Sequence, residues 1–267
     1  MSTLNPTRPW LRPGAVTRVT GLARTNTTLM MRNKLTMSYA VVVPLLPLAL
    51  LFLGERGDVD GASSTIASTF LMALMFPVYY NLLSMFVSRR DELVLKRLRT
   101  GEIRDVELLL SMALPGVVIT VAVTLLTVVV AMATGLRFPL NPVLMLLGVL
   151  LAAAAFAGFA LWTASWTRTA EAAQLTSMPV VLVATAGLLR AAFPESARPW
   201  VDLLPGTAIS NLLRATWFGR APELGSAERF DFMASWGQAL PPLAVLAAWT
   251  VVALWVARRS LRWEPRS

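Results

Sequence analysis

The 267-residue chain contains no cysteine and no histidine. Without cysteine there is no disulfide, no thiolate nucleophile and no thiolate metal site. Without histidine, Ser–His hydrolysis, HExxH metalloproteolysis and imidazole ligation are excluded. No Asp falls inside the long apolar runs, which argues against an aspartyl intramembrane protease. The sequence also has no G-x-x-x-x-G-K-[ST] phosphate loop, so the chain does not hydrolyse nucleotide by that route. Lysine is almost missing: Lys34 and Lys96 are the only two among 24 basic residues. No catalytic constellation survives these absences, and an enzyme is the least favoured class.

What the chain does have is apolar length. It is 56% hydrophobic with a mean hydropathy of +0.62, and its apolar residues come in runs of about 20, enough to cross a hydrocarbon core ~30 Å thick. Spans are expected near 35–53, 63–87, 108–134, 143–166, 175–193 and 236–257, which leaves no room for a soluble catalytic domain. With both termini on the cytoplasmic side of such a set, 17 of the 24 basic residues lie inside. Five of the other seven sit in one long outer connection, where the positive-inside rule is weakest. The net charge of +9 therefore reads as membrane orientation and not as a nucleic-acid footprint. Apart from Arg190, the spans as drawn carry no ionisable residue. Ion-coupled carriers usually need a buried carboxylate, so an energy source outside the spans is expected.

The densest charge lies between the second and third runs. Residues 88–107 hold eleven ionisable side chains in twenty positions, interleaved with Leu93, Val94, Leu95, Leu98 and Ile103. A topological loop needs only positive charge. Both signs mixed with apolar residues suggest a short amphipathic helix that touches another protein. Before the first run, Val16, Val19, Leu22 or Ala23, Leu29 and Met30 fall roughly on one face and Arg18, Arg24 and Arg32 off it. That pattern fits a helix lying along the membrane surface, with an ordinary basic flank as the alternative. Small residues at Gly148/Ala152 and Ala154/Gly158 allow close helix approach, either within the chain or across a dimer. The connection 194–235 is too apolar for a solvated loop and too broken by proline for a span. It either dips back into the membrane or rests on its outer surface.

Three stretches resemble the membrane subunit of ABC-2 type transporters, nearest to the daunorubicin-resistance-like permeases of actinobacteria. L-A-R-T-N-T-T-L-M-M-R-N-K before the first span is similar to that family's basic connecting helix. R-R-D-E-L-V-L-K-R-L-R-T-G resembles its charged signature, on Glu92, Leu95, Lys96, Arg97, Leu98 and Arg99. Leu93 stands there where Gly is common, and Gly101–Glu102 replace the frequent Thr-Pro. L-L-P-G-T-A-I-S-N-L-L-R resembles its re-entrant region.

The resemblance implies an all-α integral membrane protein of six transmembrane helices with an N-terminal interfacial helix, a cytoplasmic coupling helix and outer re-entrant helices. The cytoplasmic tail and connecting helix would occupy 1–34, the six-helix domain 35–257 and a cytoplasmic tail 258–267, in a bacterial plasma (inner) membrane. The coupling helix would span 89–104 and seat Arg89, Arg90, Asp91, Glu92, Leu95, Lys96, Arg97, Leu98, Arg99 and Glu102 against a separate ATPase. Arg168 and Glu171 of the next inner loop would add a minor contact.

Two ATPase copies would carry the ATP and Mg, so this chain would need no cofactor of its own. A second permease subunit, identical or different, would complete the assembly alongside membrane lipid. Phe76, Tyr79, Tyr80 and Phe86 would line the path of a small amphipathic drug or antibiotic. A lipid or glycan exporter of the same fold, and a membrane scaffold or immunity protein that transports nothing, are the alternative functions.

Overall fold

The computed structural model describes residues 14–54, 58–95, 103–221 and 229–261. A surface helix α1 (Ala15–Arg32) leads into the first of six helices long and apolar enough to cross a membrane. These six are α2 (Lys34–Leu53), α3 (Val59–Asp91), α4 (Asp105–Ala133), α5 (Pro142–Ala164), α6 (Ala173–Arg190) and, after an insertion, α9 (Phe232–Ser260). The insertion holds α7 (Arg198–Asp202) and α8 (Pro205–Leu213). The helices are not equally enclosed: in an apolar 18-residue stretch of each, 67% is buried in α3 and α5, against 17% in α2 and 28% each in α6 and α9. Helices α3 and α5 form the centre, and α2, α6 and α9 are the periphery.

Proline decides how the centre packs. A proline inside a helix cannot donate to the carbonyl four residues earlier, which is then orphaned in an apolar surround. Pro77 lies in a π turn of α3, Met75–Tyr80, and orphans the Ala73 carbonyl. The Thr120 hydroxyl of α4 donates to that carbonyl at 2.6 Å. One turn earlier Gly116 meets the Pro77 carbonyl so closely that a Cβ there would come within 2.1 Å of its oxygen. Pro115 in α4 likewise orphans the Ser111 carbonyl, and the Asn26 amide of α1 donates to it at 2.8 Å. Both kinks thus become sites where a neighbouring helix is fastened. Thr120→Val is close in shape but has no hydroxyl, so it leaves the Ala73 carbonyl unpaired. It should cost about 1–3 kcal/mol, read as a lower thermal midpoint in detergent, whereas Thr120→Ser should retain most of the stability.

The small residues of α5 serve packing within the chain. A Cβ at Gly158 would lie 2.8 Å from the Ala253 Cβ of α9, and Gly148 faces Leu212 of α8 and Leu243 of α9. The helix pair they join is further tied by the Thr250 hydroxyl donating to the Leu151 carbonyl at 2.9 Å.

The insertion enters the bundle. Every residue of α8 except Ser210 is buried, and so is the π turn Arg214–Phe218 that continues it; a helix resting on a surface would keep one open face. The Trp249 indole of α9 donates to the Leu203 carbonyl at 2.7 Å. The segment then returns, and the backbone N–H groups of Leu140 and Asn141 donate to the Trp217 and Thr216 carbonyls.

Two expectations change. Helix α3 runs unbroken through Asp91, so Arg89, Arg90 and Asp91 are its last turn and do not open a separate coupling helix. The bundle also encloses more charge than the composition of the spans suggested: Arg90 at the end of α3, Glu107 at the start of α4 and Arg214 in the insertion are all buried. Each has partners on a distant part of the chain, which is what permits burial.

Candidate functional site

At one end of the bundle, hereafter the Arg90 end, the last turn of α3 meets the turn that follows α5. The guanidinium of Arg90 has no exposed surface. It donates from Nη1 to the Ala164 carbonyl at 2.8 Å, and from Nη2 to the Thr167 carbonyl at 2.7 Å and the Arg168 carbonyl at 3.1 Å. The last carbonyls of a helix lack intrahelical partners and carry the negative end of its dipole. Arg90 is therefore a cation capping α5 from another helix, with the Asp91 carboxylate 3.4 Å from its Nε. Arg90 is turned inward and is not a contact surface.

Around this clasp the open groups are those of two adjacent turns. Asp91, Glu92 and Leu93 are exposed on the first, and Arg168, Thr169 and Glu171 on the second. The backbone N–H of Glu171 and then the Thr169 hydroxyl hold the Glu171 carboxyl below the usual carboxylate range, so it stays charged at neutral pH. Leu95 is fully buried and anchors the start of the segment. Lys96, Arg97, Leu98, Arg99 and Glu102 lie outside the described residues.

The turn itself accounts for the glycine that the resemblance implies at this point. Glu92 ends α3, its N–H donating to the Ser88 carbonyl, and Leu93 follows with its N–H on the Arg90 carbonyl. Leu93 has φ +58°, the left-handed conformation in which helices commonly terminate on glycine. A branched side chain there is strained. At 43% exposure it also loses little on removal. Leu93→Gly should therefore raise stability by about 1 kcal/mol, seen as a thermal midpoint a few degrees higher.

Helix α1 is stapled to the same end. Arg18 donates from Nε and Nη2 to the two oxygens of Glu107, at 2.9 and 2.7 Å. Asn26 donates to the Ser111 carbonyl and accepts from Arg89 Nη2 at 2.6 Å, so a single amide joins α1, α3 and α4. The buried face of α1 is Ala23, Asn26 and Met30; Val16 and Leu29, expected to share it, remain exposed. Sequence reasoning missed Arg18, Asn26 and Glu107 because their pairings span 63 to 89 residues. The visible clue was Pro115, which announces a carbonyl needing a donor.

The four aromatic residues of α3 separate. Tyr79 and Phe86 are enclosed, with the Tyr79 hydroxyl 3.0 Å from that of Thr163. Phe76 and Tyr80 are only partly buried and reach an open face. There Phe76 stacks on Tyr39 of α2 (centroids 6.4 Å apart, planes at 9°) and on Tyr80 (5.7 Å, 29°). The Tyr80 hydroxyl lies 2.8 Å from that of Ser177 in α6. Tyr39, which the sequence did not single out, completes a strip of three stacked rings between α2, α3 and α6, with Tyr39 half exposed.

A family model described as ABC-2 family transporter protein matches residues 17–259, nearly the whole chain. No curated protein matches the chain.

Proposed function

Since this chain belongs to the ABC-2 transporter family, we propose that it is the permease half of an exporter driven by a separate ATPase that docks at the Arg90 end. The observation that carries the reading is the Arg90 clasp. It makes one rigid unit of the two turns that present Asp91, Glu92, Leu93, Arg168 and Glu171. A force applied by a partner to this unit reaches α3 and α5, the two most buried helices, and through α5 also α9. The neighbouring residues Lys96, Arg97, Arg99 and Glu102 supply the remaining charge of the contact, and Leu98 an apolar group. ATP and Mg belong to the partner, and the Arg90 end faces the cytoplasm, where the basic excess lies.

The cargo is an amphipathic compound with a planar ring. The strip Tyr39, Phe76 and Tyr80 offers ring faces for stacking and a hydroxyl pair for one polar group, and no carboxylate lies on it among the described residues. Sparse burial of α2 and α6 leaves this strip open toward a second permease subunit, which closes the path.

The test is purification of the chain from native membranes in mild detergent. A stoichiometric nucleotide-binding partner supports the reading, and a planar lipophilic compound should change its ATPase rate. No such partner with or without nucleotide overturns it in favour of a scaffold. A partner whose rate responds to lipid or glycan and not to planar compounds changes the cargo alone.

A further inference from the structure

At the end opposite Arg90, the last turn of α2, the first turns of α3 and the end of α4 surround a cavity of about 340 Å³, a size within the range of small-ligand pockets. It is separate from the Tyr39–Phe76–Tyr80 strip, which begins one turn into the opposite end of α2. Leu50, Leu51, Leu53 and Leu136 form the apolar wall, and Asp58, Thr65 and Thr134 are the polar groups. No arginine or lysine lines the cavity among the described residues.

Each polar group offers an oxygen that can accept a hydrogen bond. Asp58 caps α3, its Oδ1 accepting the Asp60 and Gly61 N–H groups at 3.1 and 3.0 Å. Its Oδ2 lies over Gly61, where any Cβ would collide with it, and has no donor among the described residues. The Thr134 hydroxyl gives its proton to the Ala131 carbonyl at 2.8 Å, which leaves the oxygen as an acceptor. Thr65 is 9% exposed. Ser68 and Thr69 on the same helix donate to carbonyls four residues earlier, whereas the Thr65 hydroxyl has no partner among the described residues. A buried hydroxyl of that kind is costly until something pairs with it. The backbone favours the same sign of ligand. Helices α2 and α4 both end at the cavity, and the C-terminal end of a helix carries negative potential. The one positive end, that of α3, is already capped by Asp58.

Depth decides the kind of ligand. Helix α2 has 20 residues, about 30 Å at 1.5 Å per residue, which is the thickness of a hydrocarbon core. Its last turn therefore lies where lipid chains meet headgroups, with Asp58 just beyond it. We propose that the cavity binds a membrane lipid whose headgroup ends in a primary ammonium. The ammonium donates to the Asp58 carboxylate and to the Thr65 and Thr134 oxygens, and an acyl chain lies along Leu50, Leu53 and Leu136. A quaternary ammonium carries the charge but has no N–H to donate, and an anionic headgroup is repelled by the carboxylate. The bound lipid wedges between α2 and the bundle and supplies packing to the least buried of the six long helices.

The test uses the purified full chain in mild detergent. Phosphatidylethanolamine, phosphatidylcholine and phosphatidylglycerol with identical acyl chains are added one at a time, and bound copies are counted by native mass spectrometry. Phosphatidylethanolamine should bind about fivefold more tightly than phosphatidylcholine. It should also raise the thermal midpoint, as a ligand of the folded state does. Asn caps a helix as well as Asp, so Asp58→Asn keeps the start of α3 while removing the charge, and it should erase both effects. Thr65→Val should weaken phosphatidylethanolamine binding and leave phosphatidylcholine binding unchanged. Equal binding of these two lipids by the parent, a preference that survives Asp58→Asn, or tighter binding of phosphatidylglycerol each overturns the site. Should Asp58→Asn fail to purify as a single species, Thr65→Val decides by the same comparison. No ATPase or cargo is needed, so the outcome is independent of whether a partner is captured.

Discussion

Arg90→Ala is expected to lower the stability of the detergent-solubilised protein by about 3–5 kcal/mol, a fall of roughly 10 °C or more in thermal midpoint. The substitution leaves the Ala164, Thr167 and Arg168 carbonyls without their shared donor in a place water does not reach. It also removes the positive charge from the C-terminal end of α5 and leaves a side-chain-sized void. Arg90→Lys keeps the charge but not the planar fork that spans three acceptors, so it should fall between the two. A midpoint within about 2 °C of the parent would show that the two turns are not joined by this residue. In a complex, the proposed function adds a second consequence. A partner should still bind Arg90→Lys, yet cargo should stimulate its ATPase less, because the turns no longer move as one.

The second large effect is expected at residues whose role the proposal draws from charge pattern and family resemblance. Arg97→Glu with Arg99→Glu should weaken capture of the ATPase partner by at least about 100-fold, since reversing two charges in a docking surface sets like charges against each other. Arg90 and Leu95, which fasten the start of the segment, are left in place, so membrane insertion and thermal midpoint should match the parent. Co-purification reads the first quantity and scanning fluorimetry the second. Normal capture by the doubly reversed chain would remove these residues from the interface and place it on Asp91, Glu92, Arg168 and Glu171. High salt should loosen the parent complex as well, because exposed charge contacts are screened within ~10 Å at 0.1 M.

Several features were readable along the chain because they are local. Six apolar runs, the mixed charge between the second and third, and the unusual 194–235 connection are all properties of composition within a window. The apolar runs correspond to the six long apolar helices among the described residues, and the buried α8 lies within the 194–235 connection. The glycine that the resemblance implies at position 93 fits the left-handed turn found there, φ +58°. The boundary of α3 was misplaced for an equally specific reason. Charge at Arg89–Asp91 looked like the start of something aqueous, but a buried arginine is stable wherever helix-end carbonyls are waiting for it.

Composition and periodicity thus determined that the chain has six membrane-length apolar runs and neither thiolate nor imidazole chemistry, and its motifs indicated the family. Only the tertiary structure decided which polar residues are internal fasteners and which remain available. Thr120 on the Pro77 kink, Asn26 on the Pro115 kink and Arg90 on the end of α5 all act across long stretches of sequence. Their positions are dictated by backbone groups that proline and helix ends leave unpaired, and no window along the chain contains both the orphaned carbonyl and its donor.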